Sequence, residues 1–463
     1  MDLPVIEPPI APRWVWMEEV TYSHIPIATL ITAFLVLAPI FEYIGYRTKD
    51  SRYDRLAKSM VVFCMILYSP GAALGTGIPI FIIGMWPEFW SRWSNLFFWP
   101  LIVQFIFFLL DVFFLFFCYY LPWDKMQNRK RLHIFFGVMT AIFGLLIQAV
   151  WDALGAYMTT PGAPLPAVND PVGWSPQAFF NPSYPYLFFH RFFANISWTM
   201  LLMGGVFALK YLRQKDDKEK AYFGFVSDLT FTIGFVAFFM MPFIGWGFAK
   251  VLQQKAPVAF HSIMGGHASS FFMIKMGLIS IMLFLGGGYL FTRHKRKFII
   301  GLMTAGIISS YLVLQWHPAL DWLPGGPFVW RVSYTVLFLA FLIYLWMMKR
   351  EGLHNRTIWK WAMFTAGLAA FFAFTFGGFT RSRARQPYNV YEQLVKVEVL
   401  PRELDRTLLY KKCVTCHHKT PKDFERYGKK DWPTRVAIER KRDGVSMSDE
   451  EAERITRYLK EHY

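Results

Sequence analysis

Cys413, Cys416 and His417 stand together as CVTCH. Two thiols three positions apart can each meet a vinyl group of one porphyrin, while the adjacent imidazole meets its iron, so C-x-x-C-H is the pattern of covalent c-type haem attachment. Half of a zinc site, or a chance pairing beside a histidine, is the alternative reading. The chain has 4 cysteines and none but these two lies in the tail, which excludes a four-cysteine zinc centre there. Met447 is the sole methionine after the motif and the first candidate for the sixth iron ligand. A thioether there raises the potential relative to a second imidazole. His418 is too close in sequence to fold back onto the same iron, and His462 is the remaining rival. Cys64 and Cys118 sit in apolar runs and read as small buried residues.

The elements that must carry this motif are of two kinds. From 388 to 463 the chain holds 17 Lys and Arg against 14 Asp and Glu, with no run long enough to cross a bilayer. It reads as a small helical domain. Its last helix, SDEEAERITRYLKEHY, has an acidic first turn behind Ser448 as N-cap. Residues 1–387 are different. The whole chain is 54% hydrophobic and 19% aromatic, with 48 Phe and 18 Trp, and about 20 apolar residues suffice for a membrane helix. Ten spans are expected: 24–46, 60–86, 94–121, 133–153, 186–209, 222–249, 269–291, 298–316, 328–348 and 358–379. The fold class is therefore all-α, a polytopic transmembrane bundle with a helical domain at its C-terminus.

Charge orients the bundle. The net charge of +17 could indicate a nucleic-acid partner, but its location argues otherwise. Segments 46–60, 122–133, 209–221, 292–297 and 349–360 hold 22 Lys and Arg against 7 Asp and Glu, whereas 154–186 and 317–327 have no Lys or Arg and 87–93 has Arg92 alone. The rich loops are cytoplasmic by the positive-inside rule, which puts both termini outside. Nucleic-acid binding is not needed to explain the basicity. The first 23 residues lack a signal-peptide pattern, so the first span is expected to direct insertion. The Pro- and aromatic-rich segment 154–186 is expected to be ordered as a cap on the outer face.

Within this topology His24, His190, His261, His267 and His317 gather near the outer ends of spans, while His133, His294 and His354 fall among cytoplasmic basic residues. A single interfacial histidine is ordinarily solvated. Five gathered at one level of a bundle are harder to dismiss, because b-type haem needs neutral imidazoles projecting between helices. Asp111, Asp228 and Lys275 are ionisable groups inside apolar sequence. Each is a candidate for proton relay or for a buried structural role.

Several segments resemble the quinol-oxidising subunit I of the cytochrome bd oxidase superfamily. They are GTGIP at 75–79, WDKM at 123–126, NP at 181–182 followed by FFH ending at His190, WRVS at 330–333 and ARQPY at 384–388. With His24 they run in family order across about residues 20 to 390. The resemblance implies that His24 ligates one of the paired haems near the outer face and His190 the low-spin b haem. It implies too that Arg331 and Arg385 attend haem and its propionates. Arg381, Arg383 and Arg385 outside the last span break the positive-inside pattern, and propionates beneath them would account for the exception. There are departures from the family pattern. Its methionine haem ligand falls on Ser333, its carboxylate ligand on Ser382, and two span-three glutamates fall on Gln104 and Val112, with Asp111 beside the second. The long hydrophilic quinol loop is replaced by two extra spans. His261 and His267 are the replacement imidazoles favoured here, with His317 a third.

These readings imply covalent haem c and at least one haem b, with haem d undecided. Three functions follow. The first is an electron-transfer oxidoreductase of a bacterial inner membrane, joining membrane b haems to an outer c haem. The second is a bd-like terminal oxidase fed through haem c, using Asp111 and Asp228 for protons. The third is an anchor and relay for larger redox subunits. Expected partners are membrane lipid, a soluble cytochrome or other redox subunits outside, quinone, and a second copy or second membrane subunit.

Overall fold

The computed structural model describes residues 6, 8–11, 13–164, 166, 173–265, 268–293, 356–385, 408–409, 412–413, 431–441 and 447–462, with scattered positions between 328 and 342. Among these residues every regular element is helical. Eight helices are long and apolar enough to cross a membrane, and they coincide with eight of the ten expected spans. Span 298–316 lies outside the described residues, and 328–348 is described only at scattered positions.

The chain divides into two compact units. The first comprises Met1–Phe248 and Met363–Leu368. It begins with α1 (Arg13–Thr48) and α2 (Ser51–Met85), which tolerate Pro26, Pro39, Pro70 and Pro79 in their interiors, as membrane helices do when neighbours supply hydrogen bonds. The chain turns between them through Lys49, at φ 60°. Asp50 then caps α2 by accepting from the Arg52 backbone N–H at 3.0 Å. The Arg52 guanidinium beside it holds the Asp50 carboxyl below its usual range.

Helix α3 (Pro87–Val112) passes directly into a π-helical stretch, Phe113–Tyr120. Asp111, Leu115 and Tyr119 are all buried there while Phe113 and Phe117 are exposed. Four residues overshoot one revolution of an α-helix and fall short of one in the wider π turn, so the mixture keeps a spacing of four on one face. A 3₁₀ turn, Gln127–Arg129, leads to α4 (Lys130–Tyr157), followed by the short α5 (Pro176–Phe179), α6 (Tyr184–Arg213) and α7 (Asp217–Lys255).

Glycines let α6 approach its neighbours. A Cβ on Gly234 would lie 2.7 Å from the Leu201 nitrogen, and one on Gly367 of α10 (Arg356–Arg385) would lie 2.8 Å from the Leu201 carbonyl. Where lipid supplies no hydrophobic drive between helices, such close backbone packing is a main source of association. The described parts of segment 154–186 are pinned by hydrogen bonds. The Trp99 N–H donates to Gly173 O at 3.1 Å, Arg92 Nε to Pro166 O at 2.8 Å, and Asn181 Nδ2 to Ala153 O at 3.0 Å.

The second unit comprises Ala249–Ala362 and Ala369–Tyr463. It contains α8 (Pro257–Gly265) and α9 (Ser269–Arg293), which packs on α10 through Phe271 against Phe379 (5.6 Å) and Tyr289 against Trp359 (5.7 Å). The tail contributes α11 (Trp432–Arg440) and α12 (Asp449–His462). Helix α12 opens with a full capping box: the Glu451 N–H donates to Ser448 Oγ at 3.1 Å, and the Ser448 N–H to Glu451 Oε2 at 2.9 Å.

Candidate haem-binding site

His24 faces α2 from the first third of α1. Its Nδ1 stands 3.0 Å from the Gly71 carbonyl. A carbonyl oxygen can only accept, so Nδ1 carries the proton and Nε2 keeps a lone pair, as an iron-ligating imidazole must. The ring owes its place to Gly75, one turn beyond Gly71, where a Cβ would lie 2.8 Å from His24 Cε1. The GTGIP segment is thus the cradle of His24. His24 therefore fits a haem-ligand role.

His190 is half-buried near the start of α6, its ring centroid 6.2 Å from that of Phe248. The adjacent Arg191 forms an ion pair with the wholly buried Asp152 of α4. Gln148 donates to Asp152 at 3.0 Å and accepts from Asn195 at 3.0 Å. This polar group, next to His190 along α6, is not among the candidates the sequence offers. Asp152 and Arg191 lie at predicted span ends, where charge passes for solvated surface.

Asp111, by contrast, is where the sequence suggests, buried in the bundle. It accepts from the Tyr68 hydroxyl at 2.7 Å. Asp228 is half-buried on α7, and its backbone carbonyl accepts from Thr232 at 2.7 Å. Lys275 of α9 lies along α10 with its Nζ 3.4 Å from where a Cβ on Gly377 would be. Arg331 is exposed. The side chains of His261 and Arg385, and His267, His317, Cys416 and His417 altogether, lie outside the described residues.

In the tail, Cys413 and Met447 belong to one apolar neighbourhood although they lie 34 positions apart in sequence. Met447 is buried in one cluster with Leu408, Leu409, Trp432, Val436, Ile455 and Tyr458, and Cys413 packs against that cluster. A thiol and a thioether at one apolar core fit a c-type haem. His462 is engaged locally, its Nδ1 2.8 Å from Tyr458 O and its ring stacked on Tyr458.

Residues 13–270 match the family described as cytochrome bd terminal oxidase subunit I. That stretch is more than half of the chain and includes His24, Asp111 and His190. The chain belongs to the cytochrome bd terminal oxidase subunit I family. Members of this family are membrane respiratory oxidoreductases that bind b-type and d-type haems and work with quinol and further subunits. The fold agrees with that of the bd oxidase from Geobacillus thermodenitrificans, at a TM-score of 0.58 and 17% identity over 81% of this chain and 87% of that one. No curated relative matches the chain. The family assignment and the eight apolar helices together establish a multi-pass membrane protein of the bd oxidase type.

Proposed function

We propose that this bd-family chain transfers electrons between b-type haem held by residues 1–387 and a covalent c-type haem held by residues 388–463. The observation that carries the reading is Cys413, first thiol of a C-x-x-C-H motif, packed on the core that buries Met447. When bound, the haems supply the redox chemistry, while the protein supplies ligands, orientation and dielectric. His24 presents Nε2 because Gly71 holds its Nδ1 proton. His190 supplies a second imidazole. Arg331 and Arg385 are the proposed propionate partners, and His261 or His267 the replacement for the ligand lost at Ser333. Cys416 and His417 complete the c-haem attachment, with Met447 as sixth ligand.

The charge pattern supports an inner-membrane orientation with both termini periplasmic, so that a soluble cytochrome or another redox subunit meets the c haem outside. Quinone, a second copy of the chain or a second membrane subunit are the further partners of this reading. Reduction of oxygen is the second reading, favoured by the buried Asp111–Tyr68 pair, a carboxyl group deep in the bundle that can hold a proton. A pyridine haemochrome assay with reduced-minus-oxidised spectra, with and without carbon monoxide, decides between them. Haem b and haem c without a carbon monoxide shift is the expected result. A shift reveals an open iron and puts the oxidase reading first. Haem c alone refutes the roles given to His24 and His190.

A further inference from the structure

A second buried polar cluster lies at the basic, cytoplasmic end of the first unit, away from the proposed ligands. Glu42 of α1 and His133 of α4 are both wholly buried, with Glu42 Oε1 2.6 Å from His133 Nδ1. His133 Nε2 stands 2.8 Å from the Tyr119 carbonyl. Because that carbonyl can only accept, Nε2 must carry a hydrogen. The short Nδ1–Oε1 contact then requires a hydrogen of its own, since otherwise two lone pairs would face each other at 2.6 Å. The pair therefore holds one proton, either as imidazolium and carboxylate or as imidazole and carboxylic acid.

The surroundings fix the charge of that state. From α4, Lys130 Nζ lies 3.0 Å from Glu42 Oε1 and 3.1 Å from Asp54 Oδ1 of α2. Gln127 accepts from Lys130 at 3.0 Å and Trp123 lies under it at 5.3 Å. From the π-helical stretch comes the buried Tyr119. Arg131 turns away to Tyr46 at the surface. In either form of the pair, Glu42, His133, Lys130 and Asp54 together sum to zero charge. Buried charge is tolerated when paired, and a neutral cluster is the cheap state.

The Tyr119 hydroxyl closes the cluster. Glu42 Oε2 and Tyr119 Oη are both buried, and the hydroxyl faces the Glu42 carboxyl group. A hydroxyl both donates and accepts, so it can pass on a proton held by the carboxyl group. On one side Asp54 remains about one-third exposed. On the other, Tyr119 shares one buried face of a continuous helix with Asp111. The π-helical stretch carries Asp111 just before its start and Tyr119 near its end.

We propose that Glu42, His133 and Tyr119 form a proton-loading site that takes protons from the cytoplasmic side past Asp54 and Lys130 and delivers them towards Asp111. The assignment deepens the respiratory reading above and rests on it. One proton arrives from water outside the bundle and the proton already held leaves through the tyrosine hydroxyl. Only O–H and N–H bonds are made and broken, and no electron moves at the site.

The test is redox-induced infrared difference spectroscopy of the full-length haem-loaded protein in H₂O and D₂O, with proton uptake followed by a pH-indicator dye. Wild type should show a deuterium-sensitive carboxyl feature that Glu42→Gln abolishes and Glu42→Asp restores at a shifted frequency. Uptake should slow by at least about tenfold in Glu42→Gln at unchanged haem b content, within the range of a positioned proton-transfer group. Tyr119→Phe, which removes one hydroxyl, keeps the test decisive if Glu42→Gln fails to fold: it should slow uptake several-fold. Identical infrared features and uptake in variants with full haem b overturn the loading site alone. A protein without membrane haem overturns the functional reading and this assignment together.

Discussion

Gly75→Ala should disable the proposed haem ligand His24 while leaving its own residue type unchanged. The added Cβ would stand 2.8 Å from His24 Cε1, 3.3 Å from Nδ1 and 3.4 Å from Nε2. Carbon atoms prefer about 3.5 to 4.0 Å, so the nearest contact is roughly 0.7 Å too short. The ring must rotate or the helices must part. Rotation breaks the 3.0 Å contact with Gly71 O, which costs about 1 kcal/mol and releases the tautomer. Overpacking adds about 1–3 kcal/mol. Disturbing a bond that orients a ligand lowers affinity by about 10- to 100-fold. Gly77→Ala is the matched control two residues on, where the Cβ would meet only Val20 at an ordinary 3.6 Å. There the gain in helix propensity, about 0.5–1 kcal/mol, is the sole effect expected. Haem b per chain by pyridine haemochrome, with thermal unfolding in detergent, separates the two. The reasoning is refuted if Gly75→Ala retains full haem b and an unaltered spectrum, or if Gly77→Ala loses as much haem.

Met447→Ala should leave the c-type haem covalently attached yet lower its midpoint potential in a redox titration, and an unchanged potential removes Met447 from the sixth position. Cys413→Ser should weaken or abolish covalent haem c on a denaturing gel stained for haem while sparing haem b; covalent haem at wild-type level would contradict the motif. Ser448→Ala removes one half of the α12 capping box and should cost about 1 kcal/mol, read as faster hydrogen exchange over residues 449–462 of the intact protein. Gly367→Leu forces a side chain where a Cβ alone would sit 2.8 Å from Leu201 O, and should lower the unfolding temperature of the membrane domain with loss of more than about 1 kcal/mol; an unshifted transition would remove the glycine contact from the account of α6 packing.

Spans were legible because lipid demands long apolar helices, and GTGIP and the acidic start of α12 were legible because each serves a local need. The partners of buried charges were not. Glu42 lies close to Arg47 and Lys49 near the end of a span, and His133 follows three basic residues, so both read as interfacial groups. Their pairing crosses 91 residues and depends on how α1 meets α4. Asp152 and Arg191 escaped notice for the same reason, since each alone resembles a residue at the membrane surface. A carboxylate and a base at matched depth on two predicted spans would have been the available signal, but depth can be compared only once helix tilts and kinks are known.

His24 and His133 show why the residue type alone could not assign these roles. Each spends one ring nitrogen on a backbone carbonyl: His24 uses Nδ1 on Gly71, and His133 uses Nε2 on Tyr119. What differs is the nitrogen left over. For His24 it is Nε2, at the far end of a ring set in place by glycine, where a lone pair can serve iron. For His133 it is Nδ1, set against a buried carboxylate at 2.6 Å, where a lone pair would be repelled and a proton is required. Exchanging the two environments would exchange the two roles. The chemistry of each histidine is therefore written in the carbonyl it meets, and that carbonyl is chosen by the packing of α1 on α2 in one case and of the π-helical stretch on α4 in the other.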